Sequence, residues 1–426
     1  MTPSSQLRAS ARLAFICASL CFLACEATAG TMQILYTFVG NGSGSTPEGA
    51  LVLDRQGNLY GIAAHGGPRN GPMVYELSPA AGETWTETVL HSFGGQTSGD
   101  LPFPSLTIDA AGVLYGTVTH NPGGSGEVYS LTPPSTPGGA WTYQTLTHFG
   151  GTGKADGGLP AGSLLLDHQA TLYGVTYEGG DERGAKPCDC GLVYSLTRTG
   201  PSGPWTRQIL SVFHAPPDGD FPYAGLTIGA NGALFGTTTQ GGTGPCRDGS
   251  NVTVIGCGTL YSLRSHAAGW RRKTLYSFDR QPPSEPTDAL TLGPDGALYG
   301  FSTLAAYRFA PPGAPGAGWV PSVIHTFAGG FAGTSPVGAP VFDKAGNMFG
   351  LTRSFGGGGP VTLFKLEPPA SNPNGAWTHA TLLKLSGSGF TDQPAGGLAR
   401  GPDGTLYGAF GPGPDDADGY VFALKP

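Results

Sequence analysis

The sequence predicts an all-β protein, a seven-bladed β-propeller with four strands to a blade. Three observations predict it. One segment recurs seven times with fixed internal spacing, two further strand patterns follow every copy but the last, and the strand patterns left over at the two ends of the chain complement each other.

Each copy opens at a proline: Pro47, Pro102, Pro160, Pro222, Pro286, Pro336 and Pro394. Four residues on stands Leu51, Leu106, Leu164, Leu226, Leu290, Pro340 or Leu398, and three further an Asp or Gly. Then comes a turn glycine, Gly57, Gly112, Gly232, Gly296, Gly346 or Gly404, replaced in the third copy by Ala170. Every copy closes fourteen residues after its proline on an aromatic and a glycine, as in Tyr60-Gly61 and Phe235-Gly236. Two short apolar runs around Asp, Gly and Asn read as a tight hairpin. Asp bonds the backbone two residues on, and Gly supplies the positive φ of the turn. Ala170 predicts a slightly irregular turn. The glycine after the aromatic is expected to admit a neighbouring backbone.

A third strand follows, as Val74-Tyr75-Glu76-Leu77, Val193-Tyr194-Ser195-Leu196 or Val421-Phe422-Ala423-Leu424. A fourth begins at Trp85, Trp141, Trp205, Trp270, Trp319 or Trp377, and these are all six tryptophans of the chain. A large flat side chain at one fixed point of six of the seven repeats predicts packing between adjacent sheets. The last copy ends on its third strand, whereas Gln33 to Phe38 reads as a fourth strand with no repeat of its own. Pairing the two closes a ring and removes two sheet edges, which an open solenoid with capped ends does not do.

Residues 1–29 read as a secretory signal: Arg8 and Arg12, an apolar run from Leu13 to Cys25, then Ala27-Thr28-Ala29. The propeller is then a single domain over 30–426, and the expected location is exported: periplasmic, secreted or on the outer surface. Phe22-Leu23-Ala24-Cys25 gives a lipoprotein on Cys25 as the minor alternative. Removing the signal leaves 20 basic and 28 acidic residues. That balance, and a single basic cluster at Arg271-Arg272-Lys273 read as a solvated strand edge, argue against nucleic-acid binding. After the signal no segment is apolar enough to span a membrane, and a monomer is expected.

Four cysteines remain: Cys188, Cys190, Cys246 and Cys257, all in loops between second and third strands. An even count in an exported chain predicts disulfides. Cys246 and Cys257 are expected to pair. Cys188 and Cys190, one residue apart, need a kink to pair, since an extended chain holds them roughly 7 Å apart; cross-pairing stays open.

Strand alternation puts the loops after the second strands, where nearly all length variation lies, on one face, and the uniform Asp–Gly hairpins on the other. The fourth residue after each Tyr-Gly glycine falls at the mouth of the variable face: His65, His120, Glu178, Gln240, Leu304, Ser354 and Pro412. Tyr177 and Arg353 stand one residue earlier. His65, His120, Tyr177, Glu178, Gln240 and Arg353 are therefore the candidate ligand-binding residues, for an extracellular carbohydrate or protein. Asp100, Asp156, Asp218, Asp220 and Asp392 share that face and read as turn residues, as do Asp54, Asp109, Asp167 and Asp343 on the other. No nucleophile elbow, phosphate loop or metal-protease helix occurs, so no catalytic residue, metal or cofactor is expected.

The repeat itself resembles the Gloeo/Verruco (GloVer) tandem repeat: Leu114-Tyr115-Gly116-Thr117, Leu234-Phe235-Gly236-Thr237-Thr238 with Gly241-Gly242, and Gly256-Cys257-Gly258-Thr259. The resemblance implies an exported, often surface-attached protein and no particular activity. The reading is a non-enzymatic binding or scaffold propeller. A secreted enzyme acting on carbohydrate or a related extracellular polymer, with its site in the central channel, is the alternative.

Overall fold

The computed structural model describes residues 31–40, 42–94, 101–120, 126–150, 155–180, 188–200, 203–214, 217–247, 253–279, 286, 288–314, 317–327, 334–354, 361–370, 374–385, 393–411 and 418–426. Among them every regular element is a strand. Seven antiparallel four-stranded sheets follow one another as blades. Blade 1 is Ser45–Leu53, Leu59–His65, Met73–Pro79 and Trp85–Ser92 from the axis outward. Blade 7 is Ala399–Arg400, Leu406–Phe410 and Tyr420–Leu424, completed by Met32–Thr37 from the other end of the chain. Met32 pairs with Leu424 and Thr37 with Tyr420, so the ring closes as the strand count predicts. Phe38 repeats a bond made by the phenylalanine ending the other outer strands. Its N–H donates to Gly419 O at 2.9 Å, as Phe149 N–H does to Gly126 O and Phe213 N–H to Gly191 O.

The hairpins form as their residues dictate. Asp54 Oδ1 accepts the N–H groups of Gln56 and Asn58, both at 2.9 Å, and Oδ2 accepts the Tyr60 hydroxyl at 3.0 Å. Asp109 and Asp167 repeat the pattern with Tyr115 and Tyr173. Blade 5 has Gly293 at that position and recruits Asp295, whose Oδ2 accepts the Tyr299 hydroxyl at 3.0 Å. The turn in blade 3 is regular, contrary to expectation. Ala170 takes φ 59° and donates to Asp167 O at 3.1 Å, as Gly112 does to Asp109 O. Asp167 holds the turn, and Ala170 carries the left-handed strain, worth about 1 kcal/mol.

A second correction concerns the glycine after each aromatic. It admits a ring of its own blade, not a neighbouring backbone. Gly61 pairs across the ladder with Tyr75, and a Cβ there would lie 2.4 Å from the Tyr75 hydroxyl. Gly116, Gly174, Gly236 and Gly300 meet Tyr129, Tyr194, Tyr261 and Tyr307 in the same way, and Gly350 and Gly408 meet Phe364 and Phe422. The third-strand ring folds over its bare cross-strand partner, restoring the packing that glycine forfeits.

The tryptophans lie between blades, as expected. Trp141 of blade 2 meets Tyr60 of blade 1 edge-on at 6.0 Å, and Trp205, Trp270, Trp319 and Trp377 meet Tyr115, Tyr173, Phe235 and Tyr299 of the preceding blade. Two residues after the Trp of blades 2, 3 and 4 a second side chain reaches back over the terminal Phe of the preceding blade. Tyr143 does so in blade 2, Arg207 in blade 3 (4.6 Å over Phe149) and Arg272 in blade 4 (4.4 Å over Phe213). The basic cluster is thus not simply a solvated edge. The Arg272 side chain is 11% exposed and pairs with Asp218, as Arg207 pairs with Asp156 at 2.8 Å. Those two aspartates brace blades instead of only turning the chain. Asp100 and Asp392 lie outside the described residues.

In blade 1 the equivalent position is Glu87, at the seam with the N-terminal strand. Burial pushes its carboxyl up to about 7, its charge reaches Tyr36 and Tyr75, and Oε1 has no hydrogen-bond partner among the described residues. A raised carboxyl favours the fold while protonated. Its contribution is complete below the unfolded value near 4.5 and is lost as pH rises through 7. Glu87→Gln is expected to raise the thermal midpoint by about 2 °C at pH 8 and to leave it unchanged at pH 4. Equal shifts at both pH values in melting curves would refute this account of the seam.

Candidate functional site

The register sets the candidate residues in one tier. His65 pairs with Ser45, His120 with Leu101, Glu178 with Gly158, Gln240 with Asp220 and Arg353 with Ser335, each partner lying one or two residues before its blade's proline. From this rim the innermost strands run down the ring axis. Residues one to three after the prolines of all seven blades, with Arg353, enclose a cavity of about 410 Å³ on the axis.

The floor of the cavity is backbone. The second residue after the proline is Gly49, Pro104, Gly162, Ala224, Asp288, Gly338 or Gly396. A Cβ on Gly338 would sit 2.1 Å from Gly397 Cα, and one on Gly396 would sit 2.3 Å from Gly49 C. Gly49 N–H donates to Ala395 O at 2.8 Å across the seam of blades 1 and 7. Against this uniform ground one carboxylate stands out. Asp288 lines the cavity, and its Oδ2 accepts the Gly338 N–H at 3.1 Å.

Aromatic side chains collect on one side of the mouth. Tyr223, 46% exposed, meets Phe103 edge-on at 5.4 Å and Tyr177 at 6.0 Å, while Tyr177 stacks on Phe221 at 4.8 Å. Burial raises the Tyr223 hydroxyl pKa, and the charges of Asp288 and Glu48 push it further the same way. Burial also raises Glu48, against the opposing pull of His65. Aromatic ledge and two carboxylates therefore share one electrostatic neighbourhood, and Arg353 lines the same cavity. The backbone is strained here as well: Thr46, Leu159 and Phe221, each directly before a proline, take φ of 56°, 51° and 54°. Such values are costly for residues with a Cβ and disfavoured ahead of proline, and strain of this kind collects at functional sites.

Of the six candidates, Arg353 lines the cavity, Tyr177 belongs to the ledge, and His65 and Glu178 act electrostatically on Glu48 and Tyr177. His120 and Gln240 are exposed on the rim, outside the cavity lining. Ser354 is on the same tier, and Pro412 lies outside the described residues. Larger grooves of about 860 and 700 Å³ run on the hairpin face beneath Trp319 and Trp141. They recur at equivalent points between blades, so they follow from the repeat. The axial cavity is where charges and rings depart from it.

The cysteine loops flank the same face. Cys246 pairs with Cys257 across Cα atoms 5.3 Å apart, below a short hairpin of Pro245–Arg247 and Thr253–Ile255. Cys188 pairs with Cys190 across 5.1 Å, the chain kinking as such a pair requires. In the chain-entropy account the first closure is worth about 3 kcal/mol and the second only about 1.5.

Residues 121–309, from the loop after the second strand of blade 2 to the third strand of blade 5, match the sequence profile of the Gloeobacter/Verrucomicrobia repeat. That match spans 189 of the 426 residues, and over it the chain is similar to this repeat. No curated protein sequence matches the chain. Among solved structures, the repeat propeller is similar to catalytically inactive virginiamycin B lyase from Staphylococcus aureus, solved with quinupristin. The two share 14% identity over 93% of this chain and 99% of that one, with a TM-score of 0.53. It is similar also to a Lactobacillus plantarum protein at 13% identity over 82% and 87%, with a TM-score of 0.51. At such identities the likeness is one of fold.

Within the repeat propeller, Glu48, Phe103, Phe221, Tyr223 and Asp288 escaped the sequence reading. The signal that finds them is departure from the repeat. Where the copies agree on Gly, Ala or Pro two residues after the proline, blade 5 has Asp288. One residue after the proline, Glu48, Phe103 and Tyr223 stand against Ala161, Val337 and Ala395.

Proposed function

We propose that this repeat propeller is an exported, non-enzymatic binding module that holds a saccharide in the axial cavity. The observation that carries the reading is the ledge of Phe103, Tyr177 and Tyr223 joined to Glu48, Asp288 and Arg353 over a cavity of about 410 Å³. Ring faces take the C–H face of a sugar, while carboxylates and a guanidinium take its hydroxyls. Export rests on the basic, apolar and small-residue order of residues 1–29 and on two disulfides in the described chain.

One observation favours the second reading, an enzyme acting on carbohydrate. Burial raises Glu48, as a proton donor requires, and the charges of Glu48 and Asp288 both reach the Tyr223 phenol. A glycan array followed by calorimetry on the best binder separates the two. Tyr223→Ala is expected to weaken binding at least tenfold, about 1.4 kcal/mol, while Arg55→Ala and Lys344→Ala on the hairpin face leave it unchanged. Release of reducing ends from the bound glycan, lost in Glu48→Gln with affinity retained, would replace the binding module by the enzyme. Equal loss in ledge and control variants would sink both.

A further inference from the structure

Asp220 has a role that saccharide binding does not use. It stands one residue before Phe221, whose N–H donates to Cys190 O at 3.1 Å, so blade 4's first residues are tied to the cysteine loop of blade 3. The two sulfurs of Cys188 and Cys190 and a carboxylate oxygen of Asp220 lie within 4.8 Å of one another. Asp220 Oδ1 is buried with no hydrogen-bond partner among the described residues. The two sulfurs are unlike. Cys190 is fully buried against Val175, Val193 and Phe213, and Cys188 is half-buried. A bond spanning one residue constrains little chain, so its value as a staple is small.

We propose that Cys188–Cys190 is a redox-active disulfide that oxidises accessible dithiols, with Asp220 carrying the proton of Cys190. A substrate thiolate attacks Cys188 Sγ, the more exposed sulfur. The Cys188–Cys190 bond breaks, a mixed disulfide forms, and Cys190 leaves as a thiolate that takes its proton from the Asp220 carboxyl. The second substrate thiolate attacks the substrate sulfur of the mixed disulfide and expels Cys188. The protein disulfide becomes two thiols and the substrate dithiol becomes a disulfide, two electrons passing to the protein. A carboxylate with one buried, unpartnered oxygen close to both sulfurs fits a group that must hold and release a proton. Burial raises it to about 6, against the pull of the Phe221 N–H, so near neutral pH both of its forms are populated.

The test uses the full chain and dithiothreitol as the dithiol, with alkylation at intervals and peptide mapping. Cys188–Cys190 is expected to exchange at least tenfold faster than Cys246–Cys257. In Cys190→Ser, Cys188 is expected to form a mixed disulfide with glutathione, and in Cys188→Ser, Cys190 is not. Asp220→Asn is expected to slow exchange at Cys188–Cys190 at least tenfold, with the thermal midpoint and the Cys246–Cys257 rate unchanged. Equal rates for the two disulfides would overturn the proposal, as would an unaltered rate in a folded Asp220→Asn variant. So would a reduced protein that retains stoichiometric zinc and does not exchange. Should Asp220→Asn fail to fold, the wild-type rates and the two serine variants still decide.

Discussion

A chain beginning at Asn41 is expected to melt about 10 °C below one beginning at Gly30 and to aggregate as it does so. The shorter chain lacks Met32–Thr37 and Phe38. Leu35 and Phe38, 9% and 2% exposed, leave the core of blades 7 and 1, at roughly 1.5–3 kcal/mol each. Phe38 also leaves Tyr75, against which it packs edge-on at 5.1 Å. The ladder bonds of Tyr420–Leu424 go unpaired on one side, and that strand becomes an exposed apolar edge. Against a total stability of about 5–15 kcal/mol, this loss is large. Equal midpoints in calorimetry, with both chains monodisperse in light scattering, would show that the outer strand of blade 7 is dispensable.

Gly49→Ala is expected to cost about 3–5 kcal/mol or to prevent folding, whereas Gly57→Ala costs about 1. Both glycines have positive φ, 75° and 90°, so both substitutions meet the left-handed penalty. They differ in surroundings. A Cβ on Gly57 meets nothing within 4 Å, but one on Gly49 would lie 1.5 Å from Pro104 O, on a backbone held between two blades. Denaturant titration of the two variants isolates the steric part. Equal losses would mean that the blades do not meet as tightly at the axis as these positions require.

The fold was legible because its signals are local and repeated. Asp54 with Gly57 specifies a turn whatever lies around it, and seven such turns at one spacing specify blades. Ring closure was legible by elimination, since Gln33 to Phe38 had no other strand to pair with. What escaped depends on partners distant in sequence. Gly61 reads as a place for backbone until the ladder sets it opposite Tyr75. Arg272 reads as solvated until blade 3 brings Phe213 and Asp218 to it. The site was half legible: the rim tier of His65 to Arg353 follows from counting along the second strands. The ledge does not, because Phe103 of blade 2 and Tyr223 of blade 4 meet although a whole blade lies between them in sequence. No periodicity within a repeat encodes that meeting.

The strand that completes blade 7 also sets an order of events. Met32 and Leu424 are neighbours in the sheet and lie at opposite ends of the described chain. Closing so long a loop is slow, and little rewards it until the intervening blades are in place. During synthesis Met32–Thr37 emerges first and finds its partner last. Its apolar residues, Ile34, Leu35 and Phe38 with them, wait unpaired while six blades assemble. Until then blade 1 offers an uncovered flank to any other chain. A ring that pairs its seam only when finished therefore concentrates that exposure into one late step, and a partner able to cover that short segment would act on the yield of folded protein, not on its stability.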